Sequence, residues 1–378
     1  MASNIIGYEW PLDGTKHIAY VTGDDHIHAM VERGKRWIDT DVTRSANAPT
    51  IPLDVAIMTG YTWPNGRTQQ VDYVSPDDSA GHIRELVQLE GHDWTYEDLM
   101  EQPSGAPPAD GTAIVGYSWQ GKGTKHVVYT SSDGHIHELA AGTVGTWQYT
   151  NITQQAHAAM AEGTTAEGSA LVAFAWEANA TRHVAYISGD GHVHELVAGK
   201  DNAWKDTDVT DRAASPEASE GSPLVGYVWE ANGTRSFIYT TSEGDIYALV
   251  AGKDEQWQSI GLLEQTKAPK AFGSALAGYV WETGDMQQVA YVSEDRHVQE
   301  LSAGRDGTWS HIDVTQTTHA PEAANDIIVG FEWSSSFAKQ IVYLDTAENP
   351  HIHELMLAHG SSWTHTDVTT LTGASDLV

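Results

Sequence analysis

From Ile114 to Thr153 the chain alternates apolar and polar positions in four short runs. Ile114-Val115-Gly116-Tyr117-Ser118-Trp119 comes first and Lys125-His126-Val127-Val128-Tyr129-Thr130 second. His135-Ile136-His137-Glu138-Leu139 is third, and Trp147-Gln148-Tyr149-Thr150-Asn151-Ile152-Thr153 is fourth. Each run is rich in β-branched and aromatic residues and bounded by Gly, Asp, Asn or Ser, which predicts strands. Ser132-Asp133-Gly134, between the second and third runs, is a strong hairpin signal. With a three-residue loop and Gly134 in the left-handed region, Val128 faces Glu138 and His126 lies diagonal to it on the same side. A two-residue loop puts His126 and Glu138 on opposite faces. Helical periodicity is absent, although the segments between repeats hold Ala-rich stretches such as Ala156 to Ala161.

The same pattern recurs along the chain, and 14 tryptophans count it. One row is Trp10, Trp63, Trp119, Trp176, Trp229, Trp281 and Trp333; the other is Trp37, Trp94, Trp147, Trp204, Trp257, Trp309 and Trp363. Four strands in each of seven units of roughly fifty residues predict an all-β fold, a seven-bladed β-propeller with four antiparallel strands per blade. The whole chain, 1–378, reads as a single domain, with blades near 1–49, 50–110, 111–165, 166–220, 221–270, 271–323 and 324–378. The first strand carries Gly-Tyr-x-Trp in most repeats, as at Gly7-Tyr8, Gly60-Tyr61, Gly116-Tyr117, Gly226-Tyr227 and Gly278-Tyr279. Small residues there let inner strands crowd together, and the Tyr and first Trp row fill the space between blades. The order of runs implies blades built from contiguous sequence.

Composition narrows the partners. A formal charge of −32, from 20 basic and 52 acidic residues, repels phosphate backbones and argues against nucleic acid and anionic membranes. The chain has no cysteine, which excludes disulfides and thiolate metal sites. No apolar run approaches the roughly 20 residues of a membrane helix. Met1-Ala2-Ser3-Asn4 runs straight into the first repeat without a leader pattern, so the expected location is the cytoplasm or a secretion route that needs no leader. A monomer or homodimer without cofactors is expected.

Candidate chemistry repeats around the second hairpin. A polar donor sits on the second strand: His17, Gln70, His126, His183, Ser236, Gln288 and Gln340. A carboxylate sits on the third: Glu85, Glu138, Glu195, Glu300 and Glu354, replaced by Ala29 and Ala248 in blades one and five. A second-row Trp follows each of these glutamates: Trp94, Trp147, Trp204, Trp309 and Trp363. An indole, a carboxylate and a neutral donor suit a sugar. The C–H face of a pyranose stacks on the ring, the carboxylate accepts from neighbouring hydroxyls and the donor fixes another oxygen. Several weak sites on one rigid frame gain by avidity.

His126, Glu138 and Trp147 in this register resemble the fungal and bacterial fucose-specific lectins of the Aleuria type. The blades of that family read Ile-Arg-Val-Tyr, a turn with Gly, Ile-x-Glu and Gly-x-x-Trp. The chain also resembles bacterial propeller proteins built from Gly-His-Ile-His-Glu-Leu repeats. The resemblance implies a propeller lectin in which Arg, Glu and Trp of one blade clasp fucose, or another monosaccharide, between blades. Two departures stand out: the Arg position is His or Gln in every blade with a glutamate, and seven repeats replace the six blades of that family.

Structural alternatives exist for each row. The glutamates can tie strands together, and the second Trp row, present even where Glu is lost, can be packing. His26/His28, His135/His137, His192/His194 and His351/His353 each put two imidazoles on one strand face, yet no further ligand type is fixed beside them, so they read as a polar blade face and no metal is expected. Asp41, Asp208, Asp313 and Asp367 precede Val-Thr at the end of the fourth strand and bond turn backbone. The functional expectation is a multivalent, non-catalytic carbohydrate-binding protein with up to five donor–Glu–Trp sites and glycans or glycoconjugates as partners. The alternative is a propeller scaffold for proteins, using loops such as Pro103 to Gly111. An enzyme needs one unique cluster, whereas the chemistry here is spread over repeats.

Overall fold

The computed structural model describes residues 5–34, 36–53, 56–75, 81–101, 105–110, 113–143, 146–161 and 171–374. Residues 1–4, and residues 103, 104 and 111 of the loop singled out above, lie outside them.

Seven four-stranded sheets form a seven-bladed β-propeller, and each sheet takes its four strands in sequence order. No sheet borrows a strand from another part of the chain. Blade three shows the pattern, with strands Ile114–Trp119, Thr124–Thr130, Ile136–Gly142 and Gln148–Asn151. Second strands lie in the middle of their sheets and are buried along almost their whole length, as in Thr15–Val21 and Ala338–Asp345. Fourth strands are short edges with exposed residues, such as Thr95 and Tyr96 in Trp94–Asp98.

The chain divides into two compact units. The first comprises Met1–Ile6, Ala19–His28 and Asp41–Glu217. Its apolar core lies between successive blades. One cluster joins Ile83 and Leu99 of blade two to Val127, Tyr129 and Trp147 of blade three, and another joins Tyr117 and Val128 to Val184, Leu196 and Trp204 of blade four. The second unit comprises Gly7–Ile18, Ala29–Thr40 and Ala218–Val378. It repeats the arrangement, with Ile238 and Ala248 against Leu301 and Trp309, and Val292 and Val298 against Ile341 and Leu355.

The glycine of Gly-Tyr-x-Trp has a specific steric cause. A Cβ on Gly116 would lie 2.3 Å from the Tyr61 ring, and one on Gly330 would lie 2.4 Å from Tyr279. The missing side chain admits the preceding blade's aromatic ring between two inner strands.

Short helices do occur, as five-residue turns after the fourth strands of six blades: Val42–Ala46, Ile152–Ala156, Val209–Ala213, Leu262–Thr266, Val314–Thr318 and Val368–Thr372. They are too short to show a period of 3.6 in the sequence. Five of the six are stabilised by caps: Asp41, Asn151, Asp208, Asp313 and Asp367 accept the backbone N–H three residues on, while Leu262–Thr266 begins at Gly261 without one. No helix among the described residues is long and apolar enough to cross a membrane.

Candidate ligand clefts between blades

The second hairpin has the three-residue loop. Gly134 has φ of 80°, and Val128 pairs with Glu138. His126 therefore reaches Glu138 diagonally, with Nδ1 3.0 Å from Oε1. Blade four repeats this, with His183 Nδ1 2.7 Å from Glu195. Thr124 and Thr181 meet the other ring nitrogens at 2.8 and 2.7 Å, and the nitrogen facing each carboxylate, an acceptor, donates its N–H. The glutamine donors behave differently. Gln70 donates to Thr68, while Gln288 and Gln340 accept from lysines.

Those lysines belong to a row that has no part in the donor–Glu–Trp pattern. The residue just before each donor is Lys16, Gln69, Lys125, Arg182, Arg235, Gln287 or Lys339. In four blades its side chain crosses to the glutamate of the preceding blade. Lys125 pairs with Glu85, Arg182 Nη1 lies 2.8 Å from both oxygens of Glu138, and Lys339 pairs with Glu300. Lys16 pairs with Glu354 across blades one and seven. A sequence signal for this existed. Each of the five glutamates is followed, in the next blade, by Lys or Arg at this position. The two alanines, Ala29 and Ala248, are followed by Gln69 and Gln287. A basic residue is thus present in these clefts although the donor row holds only His, Gln and Ser. It stands one residue earlier and is supplied by the neighbouring blade.

The tryptophans regroup accordingly. Each of these four cations lies between two indoles, the second-row Trp of its own blade and the first-row Trp of the preceding one. Lys125 is 4.7 Å from the Trp147 ring centre and 5.7 Å from Trp63. Arg182 is 4.9 Å from Trp204 and 5.6 Å from Trp119. Lys339 sits likewise between Trp363 and Trp281, and Lys16 between Trp37 and Trp333. The grouping His126–Glu138–Trp147 is therefore not one site. His126 and Glu138 meet Trp204, whereas Trp147 joins Glu85, and Trp363 joins Glu300 rather than Glu354. Trp309 packs in the apolar cluster that holds Ala248 and Tyr227 of blade five. Trp94 is buried opposite Gln88, in the blade where this row carries neutral Gln69.

All five glutamates are 3% exposed or less. Tyrosines of the Gly-Tyr-x-Trp motif donate to three of them: Tyr61 to Glu85, Tyr117 to Glu138 and Tyr279 to Glu300, at 3.2, 3.0 and 2.9 Å. Burial pushes Glu138 up, but hydrogen bonds and charge from His126 and Arg182 outweigh it and hold its carboxyl below the usual range. Burial wins at Glu85, Glu300 and Glu354, whose carboxyls are raised despite their lysines. Blade two adds Asp72, buried directly opposite Glu85 and pushed well above the carboxylate range by burial and by Glu85.

Between blades three and four the arrangement opens into a cavity of about 470 Å³. Trp119, Trp204, His126, Glu138, Arg182 and Asn202 line it, joined by Lys122, Gln148 and Gln155. Asn202 accepts from Arg182 Nη2 at 3.0 Å, so the guanidinium is fixed on both sides. The cavity presents two indoles, a held guanidinium and several amides, and its size suits a monosaccharide or disaccharide.

The His-x-His strands face elsewhere. The first histidine of most repeats meets the capping aspartate: His26 with Asp41, His192 with Asp208 and His351 with Asp367, at 2.9, 2.7 and 2.8 Å. Second histidines find separate partners: Ser131 and Tyr149 for His137, Asp206 for His194, His365 and Asp345 for His353. Asp295, His297 and Asp313 of blade six are the one group of the described residues close enough together to hold a cation. There His297 donates to Asp313, which caps the following helix, so both already have protein partners.

No protein-family model and no curated protein matches the chain. Solved structures do share its fold. A lectin from Burkholderia pseudomallei, BP39L, aligns over 96% of this chain and 97% of its own, with TM-score 0.71 and 12% identity. Aleuria aurantia lectin in complex with Fucα1-6GlcNAc aligns over 97% and 94%, with TM-score 0.56 and 14% identity. AofleA from Arthrobotrys oligospora aligns over 83% and 86%, with TM-score 0.50 and 15% identity. At these identities the likeness is one of architecture. The Aleuria lectin is described as a six-bladed β-propeller, against seven blades here.

Proposed function

We infer that this protein binds carbohydrate in the clefts between blades, with the blade three–four cleft as its best-formed site. The observation that supports this most is the cavity in which Trp119 and Trp204 stand either side of a guanidinium held by Glu138 and Asn202. An aromatic wall with convergent polar groups is what a pyranose needs. Glu138 serves here as the positioning group for Arg182, since both its oxygens already accept from protein donors. The ligand-facing groups are then the indoles, Arg182, Asn202 and the amides of Gln148 and Gln155.

The same buried glutamate–cation pairing recurs at Glu85, Glu300 and Glu354, which supports a multivalent reading, and the structural neighbours named as lectins accord with it. Fucose is one ligand to test, since the Aleuria lectin has been crystallised with a fucosyl disaccharide. The glutamate–cation chemistry recurs over several blades instead of concentrating in one unique cluster, so a binding protein is favoured over an enzyme.

A glycan array on the full chain, followed by calorimetry on the best ligand, tests the proposal. Gln148→Ala is expected to weaken binding about three- to tenfold, the worth of one hydrogen bond, with an unchanged melting temperature because Gln148 is exposed. Absence of binding to a broad array sinks the reading.

A further inference from the structure

The clefts are not electrostatically alike, and the difference selects a ligand class. Around Lys125 gather Glu85 and, at 3.9 Å, Glu97; around Lys16 gather Glu354 and, at 2.7 Å, Glu32. Those two clefts hold more acid than base. The cavity between blades three and four reverses the balance, because Lys122 and Arg182 line it against Glu138 alone. Lys122 stands three residues after Trp119, in the turn between the first and second strands. The equivalent residues in the other six blades are Asp13, Gly66, Asn179, Asn232, Gly284 and Ser336. A base at this place is thus peculiar to the one cleft that opens into this cavity.

Lys122 is exposed, lies 5.7 Å from the Trp119 ring centre and forms no ion pair with a carboxylate among the described residues. The nearby carboxylate of Glu177 is held by the backbone N–H groups of Gln120 and Gly121, at 2.6 and 3.0 Å. Arg182, 3% exposed, keeps its Nε–H without an acceptor. On a chain of net charge −32 the general field repels anions, so a local excess of base over acid in one cavity is a departure from its background.

We propose that the cleft between blades three and four takes a saccharide bearing an oxyanion, a carboxylate or a sulfate, with Lys122 holding the anion and the sugar ring lying against the indoles. The inference rests on the carbohydrate-binding reading above. A charge-assisted hydrogen bond is worth roughly twice a neutral one, so the anionic form of a sugar gains about fivefold in affinity over its neutral counterpart.

Calorimetry with the full-length protein tests it, using a neutral saccharide, its uronate or sialylated counterpart, its sulfated counterpart, and inorganic sulfate alone. Wild type should bind at least one anionic form about fivefold more tightly than the neutral form, and the preference should shrink with added salt. Lys122→Gln should abolish the preference and leave neutral binding in place, while Lys122→Arg keeps it. Which anionic form binds tells carboxylate from sulfate. Equal binding of neutral and anionic forms, unaltered in Lys122→Gln, overturns this inference and leaves the carbohydrate-binding reading standing. Inorganic sulfate binding as tightly as the sulfated sugar also overturns it, since the cavity would then be a plain anion site. Failure of every saccharide removes both. Lys122 is exposed, so neither variant should change the melting temperature, which serves as the folding control.

Discussion

His17 and His126 occupy the same place in two blades but have different neighbours. His126 donates to Glu138, whereas blade one carries Ala29 at the glutamate position and His17 Nδ1 has no partner. His17 is 1% exposed and stacks on Tyr8 with ring centres 5.2 Å apart. Burial lowers its pKa to about 4. Because the folded pKa is depressed below the unfolded value of about 6.5, the neutral imidazole contributes stability above that pH. This stability is lost as pH falls from there through about 4. Removing a group with this shift changes stability at low pH by on the order of 3 kcal/mol. His17→Gln, which copies the residue at Gln70, should therefore flatten the loss between these limits, measured by denaturant unfolding across pH. A profile identical to wild type would show that His17 is not the titrating group. At this scale the sequence was informative: His126 and Glu138 meet as the three-residue loop requires. It was silent on which Trp stands beside them, because that depends on how one blade stacks on the next.

At the scale of the element, the end of each fourth strand is a junction where one aspartate has two roles. Asp313 caps the helix Val314–Thr318 through Gln316 N at 2.7 Å and accepts from His297 Nδ1 at 2.7 Å. The hydrogen bond to Asp313 raises the His297 pKa. A raised folded pKa means stability that is complete below about pH 6.5 and lost as pH rises through the folded value. Asp313→Asn keeps a capping oxygen and removes the charge. Its cost should therefore be larger in mildly acidic than in alkaline solution, and the His297 titration followed by NMR should move back toward about 6.5. An unmoved titration would dissociate the pair. The recurrence of Asp before Val-Thr marks these aspartates as backbone-bonding residues from the sequence alone. The helices they cap are not legible there, because five residues carry no readable period.

At the scale of the molecule, buried ion pairs join neighbouring blades, and they were the least legible feature. Their partners lie in different repeats: Glu85 and Lys125 are 40 residues apart, Glu138 and Arg182 are 44. Only a comparison of each blade with the next reveals that glutamate and cation come and go together. Taking two charges out of water is costly, and breaking such a pair strands one of them. Glu300→Gln or Lys339→Met alone should destabilise by about 3–5 kcal/mol. The double variant should recover much of that loss, because no buried charge is left over. Additive losses in the cycle would mean that the two side chains do not act as a pair. The prediction also explains why the two blades without glutamate precede neutral glutamines: a buried cation there would have no counter-charge.

Lys16 and Glu354 are the extreme case, 338 residues apart in the chain. During synthesis the lysine emerges with the first blade and its carboxylate with the last. Until Glu354 is made, Lys16 has only Glu32 of its own blade, at 2.7 Å, and the contact across blades one and seven has to wait. Long-range contacts of this kind slow folding. Closing blade one on blade seven is therefore expected to be a slow step, because it joins residues 338 positions apart.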